Sequence, residues 1–316
     1  MINFRLIPPN TKLSFVEKRL FYFIFSVFLV LGSLTLYMVK GLNFGIDFKG
    51  GILVEVRSPS PFDLGHLRGQ LNDLELGDVA IQEFGQPSDV LIRIQRQEGG
   101  DDAQQQTIEK LKEMLGNEVD YRRVEFVGPK VSEELLHDGM MAVLFAMGAI
   151  LIYIWFRFEW QFGVGAVIAL SHDVLSTIGL FSLIEHEFNL ATVAAVLTIA
   201  GYSINDTVVV YDRVRENIRK YKTLNFADLF NLSINETLSR TVMTSLTTLI
   251  ALFALYFLGG EVIRDFALAM IWGVLVGTYS SICLAVPLLL YMKIDRGAPG
   301  GLGGGEKGTG YAASTK

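Results

Sequence analysis

The chain has 316 residues, 51% of them hydrophobic and 19% charged, with a mean hydropathy of +0.39. That balance excludes an ordinary soluble domain and places the chain among membrane proteins. The formal net charge of −6 hides an uneven distribution, and a single cysteine, Cys283, leaves no intrachain disulfide to hold the fold.

Six apolar runs carry the hydropathy: Leu20–Val39, Gly139–Phe156, Trp160–Ile184, Asn189–Tyr211, Thr241–Gly260 and Phe266–Met292. Each is close to the roughly 20 residues a helix needs to cross the hydrocarbon. The first ends in Leu36-Tyr37-Met38-Val39, bulky residues where a signal-peptide cleavage site needs small ones, so span one (20–40) is expected to be retained. Residues 1–19 before it carry Arg5, Lys12, Lys18 and Arg19 against Glu17. The 212–240 loop between spans four and five carries Arg213, Arg215, Arg219, Lys220 and Lys222, whereas the turn Glu185-His-Glu-Phe188 has no Lys or Arg. By the positive-inside rule both termini and the 212–240 loop are cytoplasmic, an orientation that the Arg157 turn shares. A multi-pass protein of the cytoplasmic membrane is expected.

The hydrophilic segment 41–137 is predicted to lie outside, as a periplasmic domain. Gly45–Arg57 alternates around Ile52, Val54 and Val56 as a strand does, and Phe62–Asn72 has leucines at helical spacing. Strands are predicted at Val79–Phe84 and Val90–Gln95, a helix at Asp101–Leu115 and a last strand at Val119–Val127. The order β-α-β-β-α-β predicts an α+β ferredoxin-like unit. Ten Lys and Arg against eighteen Asp and Glu between 42 and 137 make its surface acidic, which argues against a nucleic-acid partner. Asp47 with Gly50-Gly51 lacks the Lys-Ser/Thr of a phosphate loop and reads as a glycine-shaped entry into this domain.

Gly128–Leu135 reads as a linker to span two, and residues 138–292 hold the remaining spans of an all-α bundle. The short turns between spans two, three and four make these antiparallel neighbours. Apolar residues scattered through 212–240 predict an amphipathic helix lying along the cytoplasmic face. Gly273-Val-Leu-Val-Gly277 is a small-xxx-small packing pattern. The Gly-rich tail 293–316 is expected to be disordered.

Ionisable residues inside spans are costly and mark function. Asp206 lies in span four, with Tyr202, Ser203, Asn205 and Arg213 forming a polar strip around it. Arg240 enters span five at a comparable depth, where it either pairs with Asp206 or snorkels to the membrane border. His172 and Asp173 sit in the middle of span three, as a proton relay or as a structural hydrogen-bonded pair. Adjacent helix positions diverge by ~100°, which argues against a metal. A hydrolase built on this pair lacks further ligands among His66, His137 and His186, so no enzyme activity and no cofactor other than the proton is expected.

Five stretches carry a wider resemblance: Gly41–Gly51, Val127–Val131, His172–Val174, Gly201–Asn217 and Ser233–Thr241. From about residue 14 to 293 the chain resembles the SecF protein-export membrane family, part of the resistance-nodulation-division superfamily. The resemblance implies pairing with SecD, association with the SecYEG channel, and use of the proton-motive force to draw unfolded preproteins outward. It also implies that the intramembrane aspartate at Asp206 conducts protons, with the helix-five arginine at Arg240. A reading of different class, half of a proton-driven efflux transporter for small molecules or lipids, shares this relay.

Overall fold

Two periodicities build two kinds of core. The computed structural model describes residue 8 and residues 11–294, apart from Asp78, Gly85, Glu98, Asn117 and Gly260. The tail expected to be disordered falls almost wholly outside these residues.

Period-2 alternation makes the sheet domain. Its strands are β2 (Gly51–Arg57), β3 (Val79–Phe84), β4 (Gln86–Ile94) and β5 (Asp120–Val127), with α3 (Leu64–Asp73) and α4 (Gly100–Leu115) between them in sequence. The sheet order is β3-β4-β2-β5 and every pairing is antiparallel. The central strand β2 matches Ile52 with Ile94 and Phe126, and Val54 with Ile92 and Val124. Ile52, Val54, Val56, Ile92 and Ile94 of the sheet pack with Leu67, Leu71 and Leu111 of the helices in one buried cluster. Burial of each such side chain contributes about 1.5–3 kcal/mol, which is what fixes the register.

The predicted strand Gly45–Arg57 begins late. Residues ahead of Gly51 form instead a two-residue strand β1 (Asn43–Phe44) and a single turn α2 (Ile46–Lys49). Gly50 and Gly51 cause the break. Their φ values are +72° and +119°, and a Cβ on Gly51 would lie 2.5 Å from the Ile94 carbonyl oxygen. Only glycine turns the chain here and still lets two backbones approach.

The bundle is built from α1 (Arg19–Lys40), α5 (Pro129–Arg157), α6 (Trp160–Ile184), α7 (Leu190–Lys220), α8 (Phe226–Leu258) and α9 (Glu261–Tyr279). With the turns that extend α1 and α9, these give six helices long and apolar enough to cross a membrane. The predicted linker 128–135 is already helical, since α5 starts at Pro129, a residue whose missing N–H costs nothing in a first turn.

The 212–240 segment is not an interfacial helix. α7 and α8 run on to a short connection at 221–225, forming a helical hairpin. Its apolar residues Val214, Ile218, Leu229, Phe230 and Ile234 face one another in the core instead of facing lipid. Its polar residues also pair across the hairpin: Asn217 Nδ2 donates to Ser233 Oγ (2.9 Å), and Arg213 Nε to Glu236 (2.7 Å). Asn231 accepts from the backbone N–H groups of Phe15 and Val16, and Asn235 from that of Leu13, so the hairpin also holds the start of span one.

The last span is irregular. After α9 comes a π-helical stretch, Ser280–Ala285, just before Pro287. Proline lacks an N–H and clashes with the preceding turn, and a π segment absorbs both by inserting a residue. The small-xxx-small expectation holds in α9. A Cβ on Gly273 would collide with Ile199, and one on Gly277 would sit 3.2 Å from Ser203 Cβ and 3.5 Å from Asp173 Oδ2.

Candidate functional site

Glycine permits α7 and α9 to touch, and that close approach assembles a polar junction inside the bundle. Asp173 on α6 is fully buried. Its Oδ1 lies 2.9 Å from His172 Nδ1, while Oδ2 accepts from Ser203 Oγ of α7 (2.5 Å) and Ser280 Oγ of the π stretch (2.7 Å). One carboxylate therefore gathers three spans. Of the two readings of His172-Asp173, the hydrogen-bonded tie is present. His172 Nε2 is buried without a partner among the described residues and its ring lies 6.0 Å from that of Tyr279, so one nitrogen of the pair stays open.

The π stretch turns consecutive serines inward. Ser280 reaches Asp173, and Ser281 shares a 2.9 Å hydrogen bond with Thr207 of α7. Tyr211 Oη donates to the Ala285 carbonyl at 3.0 Å. Helical spacing had marked Ser203 as part of a strip. The roles of Ser280, Ser281 and Thr207 carry no sequence signal beyond the serine pair ahead of Pro287.

Asp206 is on the same helix as Ser203, one turn away. It is 5% exposed, and its Oδ2 is buried with no hydrogen-bond partner among the described residues. The Arg157–Asp212 ion pair (2.5 Å) puts Asp212 level with the α5–α6 turn. Asp206 is six residues deeper, about 9 Å at 1.5 Å per residue. Asp173 is thirteen residues into α6, about 20 Å from the same turn, so the two carboxylates occupy different depths.

Arg240 does not close on Asp206. It is exposed on α8, and no ion pair within 4 Å joins the two among the described residues. The register set by Asn217–Ser233 and Arg213–Glu236 carries Asp206 opposite Met243–Thr244, one turn from Arg240. Thr244, Thr247 and Thr248 bond their own helix carbonyls, and the Thr241 hydroxyl is buried without a partner among the described residues.

Asn205 is not in the junction. It is exposed, because one residue along a helix is a rotation of ~100°, and it joins Ala194, Thr198 and Gly201 on an outward stripe of α7. Among the described residues, no group of three His, Cys, Asp or Glu is placed to hold a metal.

The Gly-Gly segment connects this bundle to the sheet domain. Asp47 Oδ2 accepts from the Leu190 N–H at the start of α7 (2.9 Å), a charge placed at a helix N-terminus. β1 pairs in parallel with β6 (Glu187–Phe188), ahead of α7. Arg93 of β4 bonds both Glu187 (2.9 Å) and Asn43 (3.0 Å). The helix that carries Asp206 is thus tied at its other end to the sheet domain.

Residues 106–295 match the family described as "Protein export membrane protein SecD/SecF, C-terminal", and residues 38–58 match the SecD/SecF GG motif. A protein translocase subunit SecF of Cereibacter sphaeroides is 47% identical over 304 residues, covering 93% of this chain and 94% of the relative. One of Rickettsia rickettsii is 46% identical over 292 residues, covering 90% and 93%. Among solved structures, the crystal structure of SecDF from Thermus thermophilus, described as a translocon-associated membrane protein, is 39% identical with a TM-score of 0.81 over 89% of this chain. The chain spans 39% of that protein's length. A SecDF structure in a super-membrane-facing form, 38% identical, gives a TM-score of 0.65 over the same share. The chain belongs to the SecD/SecF family of protein-export membrane proteins.

Proposed function

We propose that this chain is the SecF-type half of a SecD–SecF pair in the bacterial inner membrane, a non-catalytic subunit that couples inward proton movement to protein export. The observation that carries the reading is the buried Asp206 with an open Oδ2, one turn from a serine already bonded to Asp173. Protons are the only cofactor it needs. A proton entering from the sheet-domain side reaches His172 and Asp173 first and passes by way of Ser203 and water along α7 to Asp206, nearer the hairpin end.

Charge drives the motion. Ionised, Asp206 attracts the guanidinium of Arg240, one turn away on a helix that is largely exposed, and the attraction is strong in a medium of low dielectric. Protonated, it does not. The resulting shift of α7 against α8 reaches the sheet domain through the Asp47–Leu190 and β1–β6 ties. The two SecDF forms, with nearly equal identity but TM-scores of 0.81 and 0.65 against this chain, support a fold that changes shape.

Orientation follows from charge. The hairpin end, with its arginines and lysines, is cytoplasmic with both termini, and the sheet domain is periplasmic. Its order and antiparallel pairing support a ferredoxin-like split βαβ unit. The SecD half packs against the outward faces of α7 and α8, which expose Ala194, Thr198, Gly201 and Asn205 on one helix and Arg240, Thr244 and Thr247 on the other. Small and polar residues exposed at membrane depth favour another helix over lipid. SecYEG and the emerging unfolded preprotein are the further partners of the assembled pair.

The test is Asp206→Asn in a cell whose only copy is the variant. Proton-dependent export should be lost while the protein accumulates normally. Full proton-dependent export by that variant would overturn the reading.

A further inference from the structure

At the hairpin end of the bundle, the α5–α6 turn and the last turns of α7 border an open cleft of about 690 Å³, lined by Arg157, Asp212, Arg215, Glu216, Arg219 and Lys220. Four cations face two carboxylates, and both carboxylates are already engaged. Asp212 is bonded by Arg157 at 2.5 Å, and Glu216 accepts from Arg213 at 2.6 Å. Arg219 makes no hydrogen bond or ion pair among the described residues. The Lys220 ammonium lies 5.0 Å from the Tyr221 ring and, though it acts on Glu236 at longer range, makes no ion pair within 4 Å among those residues. The cleft therefore holds surplus positive charge.

An apolar groove adjoins it. Between α5 and α6 lies a groove of about 600 Å³ whose walls include Leu151, Trp155, Gly163, Val164 and Ile168. Phe158 belongs to this groove and also lies under the cleft, with the Arg157 and Arg215 guanidinium carbons 5.0 and 5.7 Å from its ring centre. Trp155 and Trp160 flank the junction at 79% and 62% exposure, the position of tryptophans at a membrane–water boundary. A cationic cleft at headgroup depth thus opens onto a lipid-facing groove at acyl depth.

We propose that this junction binds one acidic phospholipid, with its phosphate on Arg219, Lys220 and Arg215 and an acyl chain in the α5–α6 groove. Charge complementarity selects an anion, and the continuous groove selects an anion bearing a long apolar chain. A free phosphate would use the cleft alone, and a zwitterionic lipid would gain nothing from the surplus charge.

The test uses the full chain, reconstituted in phosphatidylcholine vesicles with and without phosphatidylglycerol, extracted gently and weighed by native mass spectrometry. The wild type should retain one phosphatidylglycerol in preference to phosphatidylcholine. Arg219→Gln with Lys220→Gln should cut that retention several-fold, at exposed positions where folding is insensitive. Val164→Trp should cut it as well by filling the groove without altering charge, and millimolar inorganic phosphate should not displace the lipid. Unchanged phosphatidylglycerol retention in the double variant would overturn the proposal. So would displacement by inorganic phosphate together with full retention in Val164→Trp, which would mark an anion cleft and no lipid site.

Discussion

Asp89 in the sheet domain and Asp206 in the bundle are buried to nearly the same extent, 3% and 5% exposed, and have opposite surroundings. Asp89 is held by a two-pronged Arg57, Nε to Oδ1 and Nη2 to Oδ2. Asp206 has a buried oxygen with no partner among the described residues. A buried carboxylate with both oxygens bonded can do little except hold its place, whereas one left open can change protonation or partner at small structural cost. Asp173 lies between these cases: both of its oxygens are used, but its ligands come from different helices, so it registers their relative position.

Four substitutions sharpen or break this contrast. The largest effect is functional: Asp206→Asn should remove proton-driven export, as set out above, yet leave thermal stability in detergent nearly unchanged, because no bond to its buried oxygen is lost. A large fall in melting temperature would mean that Asp206 is structural, like Asp89. Asp173→Ala should lower stability as well as export, since Asp173 ties three spans and also lies on the proton path. Removing the shared acceptor of Ser203, Ser280 and His172 should cost about 2–4 kcal/mol, read as a lowered midpoint in thermal unfolding of the purified chain.

Next in size is Gly273→Val, which forces β-branched bulk against Ile199 where a Cβ already collides. Overpacking of this kind costs about 1–3 kcal/mol and should separate α7 from α9. Hydrogen exchange along α7 should rise, and the Ser203–Asp173 bond should be lost with it. Export activity equal to wild type would show that the junction tolerates the separation.

The smallest effect belongs to Asp89 and depends on pH. The Arg57 guanidinium beside it, by hydrogen bond and charge, holds its carboxyl below the usual range. A folded-state value below the unfolded one, about 3.9, adds stability that is complete above that value and is lost as pH falls through the folded one. Glu55, on the adjacent strand β2, behaves oppositely, since burial pushes its carboxyl up against the pull of Arg122 and Arg123. Asp89→Asn should therefore lower sheet-domain stability at neutral pH and flatten its fall below pH 4, measured by hydrogen exchange of β2 and β4. An unaltered acid profile would show that Arg57 contributes nothing there.

Much of the architecture was legible in the residues because it rests on local patterns. Six runs near 20 residues give six spanning helices, alternation gives the strands of the sheet domain, and Gly273-xxx-Gly277 marks a close helix contact. Asp206, His172 and Asp173 stand out because charge in an apolar run is rare. The same patterns misjudged 212–240, where scattered apolar residues fit an interfacial helix as well as a hairpin; what chose the hairpin was Asn217–Ser233, Arg213–Glu236 and the apolar seam between the helices. Asn205 was read as part of the relay by adjacency, but one step of helical rotation turns it outward.

The sequence by itself determined which segments enter the membrane, which charges enter with them and where glycine lets backbones meet, since hydropathy, charge and φ freedom are properties of single residues and their near neighbours. Tertiary structure alone decided that Asp173 would meet Ser203 and Ser280, respectively 30 and 107 positions away. It also decided that Asp47 would cap the helix carrying Asp206, and that Asp206 itself would be left with an open oxygen. Those outcomes depend on the rotation and register of packed helices, set here by contacts at Gly273 and Gly277 and by the π stretch ahead of Pro287, and no local pattern encodes them.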